Sequence, residues 1–447
     1  PRRVLIDQET LCRGCGACLE RCPQVVLGKA ATTVELYPDY LGMDDPYWTR
    51  DLIARIDLEA TTGKIPVSGT GQGDPHRGSG NDGIRFGHFH IVGPAQNLLY
   101  ESSADAIGVQ LGRRPKYLVF EGEKLTTPHP RLIRVKTPIL MDVMPMEGGE
   151  GLLVPMLEVA GRMGSRLTLR LAGYEKHAAI LAEHSELLIL RLTAREAQEL
   201  LAGTRKLHAS SNPLPGLVEI EVDGPFAGSA DQWKALFPES LFCAVIRIDK
   251  GHLDAGLRLT PGLQKILESL FSSPVDIIAL TSDYDPEKGY YPTTDAVPVV
   301  HHFLVDQKMR HRFSILAAGG MRTAADAQKT VQRGANGIKI DWPVLLTIDP
   351  LARQKYSKGE PLTILHDPSL LAKRIANLIQ VWNIQIIEVL GASGFKDIKK
   401  TVGEENRLVI FDDLEERVYD IFKDASRVER NVKANEARVQ REGSGAG

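Results

Sequence analysis

Four of the five cysteines fall within eleven residues, as Cys12, Cys15, Cys18 and Cys22, with Pro23 directly after the last. The spacing C-x2-C-x2-C-x3-C-P is the bacterial ferredoxin run that wraps a [4Fe–4S] cubane in thiolates. Gly14 and Gly16 leave the loop tight enough for this, and Cys22-Pro23 ends it. Zinc sites would instead show paired C-x2-C knuckles, which are missing. In two-cluster ferredoxins the fourth cysteine of such a run serves the other cluster, and the chain has no second run. Three arrangements stay open: Cys22 closes the same cluster, Cys22 serves a cluster shared with a second copy or a partner, or the module is a half that no longer binds iron. The fifth cysteine, Cys243, lies in the apolar run Leu241–Ile246 and reads as an inert core thiol.

A second chemical signal is Ala317-Ala318-Gly319-Gly320-Met321-Arg322-Thr323, echoed at Gly334-Ala335-Asn336-Gly337. An apolar run ends in paired glycines and a helical pattern starts at once. Bare backbone N–H groups beside a helix N-terminus make a cradle for phosphate. Late in an alternation of strands and helices, that position suits the phosphate site of a (β/α)8 barrel. Other candidates read weakly. Gly69-x-Gly71-x-Gly73 opens no helix, and His76, His88 and His90 lack a carboxylate frame for a metal.

The elements that would position these residues are legible in the hydrophobic pattern. Strands are expected at 139–143, 166–170, 187–192, 217–222, 242–248, 275–280, 313–318 and 337–340. Helices are expected between them at 152–163, 174–183, 194–201, 261–271 and 324–333. Eight short apolar strands with interposed helices predict a closed parallel barrel; an open doubly wound sheet is the alternative. The chain then divides into a ferredoxin-like segment (1–30), a helical and loop connector (31–135), the barrel (136–350), a C-terminal helical extension (351–425) and a disordered tail (426–447). In the connector, Trp48, Leu52, Ile53, Ile56 and Leu58 recur at helical steps that Gly63 stops. In the extension, 370–389 reads as a long amphipathic helix packed outside the barrel.

Bulk properties narrow the function class. With 447 residues, 43% hydrophobic and 25% charged, the chain can build a large core. A net charge of −3 gives no global attraction to nucleic acid or anionic membrane. No apolar run reaches the roughly 20 residues of a membrane span, and Pro1–Asp7 shows no signal peptide. Clustered thiols without a disulfide framework point to a reducing, cytoplasmic setting.

Read in order, these pieces resemble a family: the FMN-binding synthase domain of glutamate synthases, in its short ferredoxin-bearing form. The likeness runs from the cysteines through Tyr47-Trp48-Thr49-Arg50, Glu59-Ala60-Thr61-Thr62-Gly63-Lys64, Gly93-Pro94-Ala95-Gln96, Gly112-Arg113-Arg114-Pro115 and Lys136-Thr137-Pro138-Ile139. It continues to Gly319-Gly320-Met321-Arg322 and to Glu388–Ile398. The resemblance implies FMN at the C-terminal mouth of a TIM-like barrel, its phosphate on Gly319, Gly320, Met321, Arg322 and Gly337. Arg191 and Arg247 stand where the family's lysines lie near the flavin. It further implies a 2-oxo acid aminated reductively, as 2-oxoglutarate is to glutamate, with electrons delivered from the cluster. Implied partners are a small-molecule substrate, a ferredoxin or flavoprotein reductase as electron donor, an ammonia-supplying subunit, and further copies or subunits in a complex. Glu147, Asp283 and Lys288 are the polar residues expected nearest the mouth and are the candidate acid–base groups.

The likeness loosens in the loops. Met144–Gly149 replaces a small-residue turn, Arg170–Tyr174 an acidic-glycine motif, and Thr193–Glu196 and Ser282–Gly289 two glycine-rich loops. Asp341-Trp342-Pro343 stands in place of Gly-Thr. A carboxylate about 4 Å from a phosphate charge repels it by about 4 kcal/mol at an effective dielectric of 20. The alternative expectation is therefore a degenerate barrel without FMN, serving as an electron-transfer or scaffold subunit.

Overall fold

The structure, a computed structural model, describes residues 45–65, 84–86, 104–127, 130–144, 149–205, 214–254, 256–287, 289–364, 367–405 and 408–410. The cysteine run, the expected tail, Glu147 and Lys288 lie outside the described residues.

Eight parallel strands close into a barrel in sequential order. They are β1 (Ile139–Met141), β2 (Leu167–Arg170), β3 (Leu188–Leu192), β4 (Leu217–Val222), β5 (Leu241–Arg247), β6 (Ile277–Thr281), β7 (Ser314–Ala318) and β8 (Gly337–Ile340). The ring closes through Ile338 opposite Ile139 and Ile340 opposite Met141. Each strand is a short, nearly continuous apolar run because both of its faces are covered. The closed ring excludes the open sheet.

Helices alternate with the strands, and polar side chains at their starts fix where they begin. Thr193 opens α5 (Ala194–Leu201) in a capping box with Glu196. Ser229 and Gln232 do the same for α6 (Ala230–Leu236), and Thr323 and Asp326 for α9 (Ala324–Gln332). Reciprocal caps satisfy N–H groups that the first turn leaves open. The segment expected as one helix over 174–183 differs. It forms α3 (Leu171–Lys176) and α4 (Ala178–Leu181), separated at His177 (φ −109°, ψ 19°), and neither piece has a side-chain cap. The remaining helices are α2 (Leu153–Met163), α7 (Pro261–Ser269), α8 (Thr293–Asp306), α10 (Trp342–Ile348) and α11 (Ala352–Lys358).

Two elements outside the ring act as one unit. Helix α1 (Arg50–Thr62) ends on Gly63, whose φ of +64° a side chain would resist. It packs against the 25-residue α12 (Pro368–Ala392), which also packs on α2. By length and composition α12 could cross a membrane, yet 61% of its most apolar window is buried against the protein. Glu59 of α1, 1% exposed, accepts hydrogen bonds from Arg55, Trp382 Nε1 and Gln385 Nε2. Arg374 of α12 answers by donating to Asp57, Thr61 and the Thr347 carbonyl.

Replacing Glu59 with alanine strands three donors in this joint. Charged hydrogen bonds contribute about 1.5–3 kcal/mol each to stability, and stranded donors add a cost. Glu59→Ala should lower the unfolding free energy by about 3 kcal/mol, read as a shift of the urea midpoint at unchanged slope. An unaltered midpoint would contradict the assigned role.

Candidate active site at the barrel mouth

Inside the ring, four charged side chains from three strands and the end of a fourth meet. Lys339 of β8 places Nζ 2.8 and 2.9 Å from the two oxygens of Glu219 (β4) and 2.9 Å from Asp142 Oδ1, just past β1. Arg191 of β3 donates through Nε to Glu219 Oε2 at 2.9 Å. Its Nη2 lies 2.8 Å from Asp142 Oδ1 and 2.7 Å from Glu219 Oε2, at ion-pair distance but without hydrogen-bond direction. None of the four side chains is more than 8% exposed. Burial alone would raise the Asp142 carboxyl, but Arg191 and Lys339 hold it down at about 2. Burial would likewise lower the Arg191 guanidinium, and Asp142 and Glu219 raise it instead. Two positive and two negative charges leave the interior neutral. Cys243 faces this cluster as a buried free thiol, pushed well above the ordinary thiol range by burial and by Glu219. It stays protonated and inert.

At the rim, β7 runs into Gly319 and Gly320, with φ of +86° and +74°. Neither position has room for a side chain. A Cβ on Gly319 would lie 2.5 Å from the Ser282 carbonyl, and one on Gly320 would lie 2.6 Å from the Tyr291 ring. The N–H groups of Arg322 and Thr323 go to Asp326. Those of Gly320 and Met321 meet no acceptor among the described residues. Two such N–H groups just ahead of α9, in a left-handed glycine turn, form an anion cradle.

Aromatic side chains surround that turn. Tyr47, from the segment leading into α1, donates its hydroxyl to the Gly320 carbonyl at 2.6 Å. Its ring lies 5.0 Å from Tyr291 and 5.8 Å from Tyr284, and the Arg322 guanidinium sits 3.8 Å from its centroid. Trp48 and Trp342 flank Arg353, which is paired with Asp45. Burial pushes the Tyr291 hydroxyl up to about 12 against the opposing pull of Arg353 and Trp48, so it remains neutral.

Asp341 continues β8 and caps α10, accepting the Trp342 N–H at 2.6 Å. Pro343 occupies the first turn of that helix, where no N–H is needed, so it removes no useful donor. Burial, and secondarily Asp142, push the Asp341 carboxyl up to about 7 despite the Trp342 N–H and Arg353.

The residues singled out from sequence are distributed as follows. Gly319, Gly320, Met321 and Arg322 form the turn, and Gly337 starts β8 against the Pro138 carbonyl at the opposite end of that strand. Arg191 belongs to the interior cluster. Arg247 sits at the end of β5, pairs with Asp283 at 2.5 Å, and is 57% exposed beside an 82% exposed partner. Asp283 is thus a rim residue apart from the glycine turn. Asp142, Glu219, Lys339, Tyr47 and Tyr291 were not singled out for the site. A lone charge inside an apolar strand, as in Leu217-Val218-Glu219-Ile220 and Gly337-Ile338-Lys339-Ile340, was the signal available for two of them. Among the described residues no group of three or more His, Cys, Asp or Glu side chains could hold a metal ion.

Comparison with known proteins bears on this arrangement. The family model "Conserved region in glutamate synthase" matches residues 286–396, which include the glycine turn, β8 and all of α12. An archaeal glutamate synthase [NADPH] from Archaeoglobus fulgidus is 23% identical over 91% of this chain and 87% of its own length. By these matches the chain is similar to the glutamate synthases. The Methanocaldococcus jannaschii glutamate synthase is 30% identical over 127 residues, and that of Thermotoga maritima 33% over 129, each match spanning 25% of the relative. Among solved structures, a mandelate oxidase mutant is 13% identical at a TM-score of 0.41, covering 85% of this chain and 99% of its own. A flavocytochrome b2 mutant is 12% identical at 0.42, covering 79% and 82%. At such TM-scores the likeness carries no inference.

Two outcomes follow from these buried charges. Lys339→Met leaves Glu219 and Asp142 short of a buried cation and should cost about 3–5 kcal/mol of stability in denaturant unfolding. Asp341 is raised in the folded state, so the native protein binds the extra proton between about pH 4 and 7. Stability therefore falls as pH rises through that window and stays lowered above it. Asp341→Asn keeps the cap and should raise Tm by about 1–3 °C at pH 8 while leaving it unchanged near pH 4; an equal effect at both would refute the assignment.

Proposed function

We propose that this chain is a glutamate-synthase-type oxidoreductase whose barrel mouth takes a phosphorylated flavin of the FMN class. The observation that carries the reading is the Gly319–Gly320 turn, with the Gly320 and Met321 N–H groups open beside α9. The turn fits a phosphate: small, rich in donors and intolerant of a side chain. Bound there, the flavin would supply hydride chemistry, and a [4Fe–4S] cubane on Cys12, Cys15, Cys18 and Cys22 would supply electrons singly. The four thiolates have the donor type and spacing for it. The glutamate synthase activity of the similar proteins suggests reductive amination of a 2-oxo acid, with ammonia and reducing equivalents delivered by partners.

The chain's own residues set the terms. Arg191 is already engaged by Asp142 and Glu219, so it steadies the floor of the mouth and does not offer a free charge to a ligand. Tyr284, Tyr291 and Trp342 line the rim with packed apolar rings, and the raised Asp341 carboxyl can hold its proton near neutrality beside an anion. A second reading is favoured by the same cluster: with both interior cations neutralised, the barrel keeps an anion turn but has no FMN and serves as an electron-transfer or scaffold subunit.

Titration with FMN under anaerobic conditions separates the two. The first reading expects quenching of flavin fluorescence on binding to the wild type, and at least about tenfold weaker binding by Gly320→Ala, equivalent to about 1.4 kcal/mol. A wild type that leaves free FMN fluorescence untouched would remove the flavin and leave the second reading.

A further inference from the structure

We propose that Tyr47 is a positioning residue that sets the orientation of the Gly320–Met321 peptide, and with it the direction of the Met321 N–H. The inference deepens the reading of the glycine turn as a phosphate cradle. A trans peptide is planar, so its C=O and N–H point in opposite directions. Tyr47 holds the Gly320 carbonyl through a buried 2.6 Å hydrogen bond, and the Met321 N–H of the same peptide therefore points away from Tyr47.

Little else fixes that plane. The plane of the peptide between Gly320 and Met321 tilts about ψ of Gly320, which glycine leaves free, and φ of Met321, so modest tilts come at small cost. The N–H groups further along are committed, since Asp326 takes those of Arg322 and Thr323. The cradle thus depends on the tilt of one peptide, and the Tyr47 hydroxyl sets it.

The tyrosine is itself held on several sides. Arg322 stacks over its ring at 3.8 Å and donates Nη1 to the Tyr47 carbonyl at 3.0 Å. Tyr291 and Tyr284 pack on the ring, and Asp45 accepts the Tyr47 and Trp48 N–H groups at 2.9 and 2.7 Å. Asp45 in turn pairs with Arg353. The segment just ahead of α1, on the cysteine side of the barrel in sequence, is thereby latched to the peptide that would face the anion. Movement of that segment would release the carbonyl and let the N–H turn away.

Tyr47→Phe tests this because it removes the hydroxyl and keeps the ring beneath Arg322. Selective 15N labelling of methionine gives a spectrum of eight residue positions in the chain, in which Met321→Leu assigns the Met321 amide. The expected result is a displaced Met321 amide in Tyr47→Phe, FMN binding about tenfold weaker than wild type, and a Tm within about 2 °C of it. A Met321 amide at its wild-type position, with FMN affinity unchanged, would overturn the proposal. Should the wild type bind no FMN, the flavin reading fails by itself. The Met321 amide then decides separately: displacement in Tyr47→Phe upholds the latch, and an unmoved signal refutes it.

Discussion

The interior of this barrel is organised by four charges that cannot be separated cheaply. Asp142, Arg191, Glu219 and Lys339 come from the end of β1 and from β3, β4 and β8, so their mutual attraction ties strands on both sides of the ring closure. Desolvating any one of them alone would cost several kcal/mol, and only the alternation of sign offsets it. Such a cluster is weak evidence of added stability over an apolar core, but it is strong evidence of a fixed register. A strand slipped by one residue would turn its charge out of the barrel and leave its partners unpaired.

That arrangement assigns different work to the floor and the rim of the mouth. The floor is neutral, satisfied and closed, so selectivity must come from above it. There the glycine turn offers backbone N–H groups, the tyrosines pack around it, and the Asp341 carboxyl is raised to about 7. A backbone cradle without a free cation discriminates by geometry more than by charge. Ordered N–H direction therefore matters more here than in a site with a lysine to spare.

Much of the ring was legible in the chain because a short apolar run between two helical patterns has few other meanings. β4 and β8 occupy the expected residues, and the other strands moved by a residue or two at their ends. The stop at Gly63 and the glycine pair at 319–320 were readable because left-handed backbone favours one residue type. The fates of Arg191 and Arg247 were not readable. Both sit between apolar residues near strand ends, in Leu190-Arg191-Leu192 and Ile246-Arg247-Ile248, and alternation puts both on the inward face. Strand stagger separates them: Arg191 is level with Glu219, which is level with Cys243, and Arg247 lies four residues further along β5. At about 3.3 Å per residue that is roughly 13 Å higher, enough to take it from the closed floor to the exposed rim. Likewise Tyr47 lies 273 residues from the carbonyl it holds, and no local pattern reports such a contact.

The extent of the family likeness follows the same division between floor and rim. The glutamate synthase model matches residues 286–396, the part of the chain that builds β7, the glycine turn, β8 and α12. Lys339 lies in that part, but its two carboxylate partners and Arg191 lie before it, on strands 1, 3 and 4. The cation is thus supplied by the part that the family model matches, and the charges that silence it by strands before that part. Whatever the mouth holds, a phosphate can meet the turn without contacting that cluster, whereas chemistry at the centre must proceed over a floor whose positive charge is already spent. The two parts of the ring would therefore constrain different parts of a ligand, so an anion-binding end could persist while a reacting end diverged.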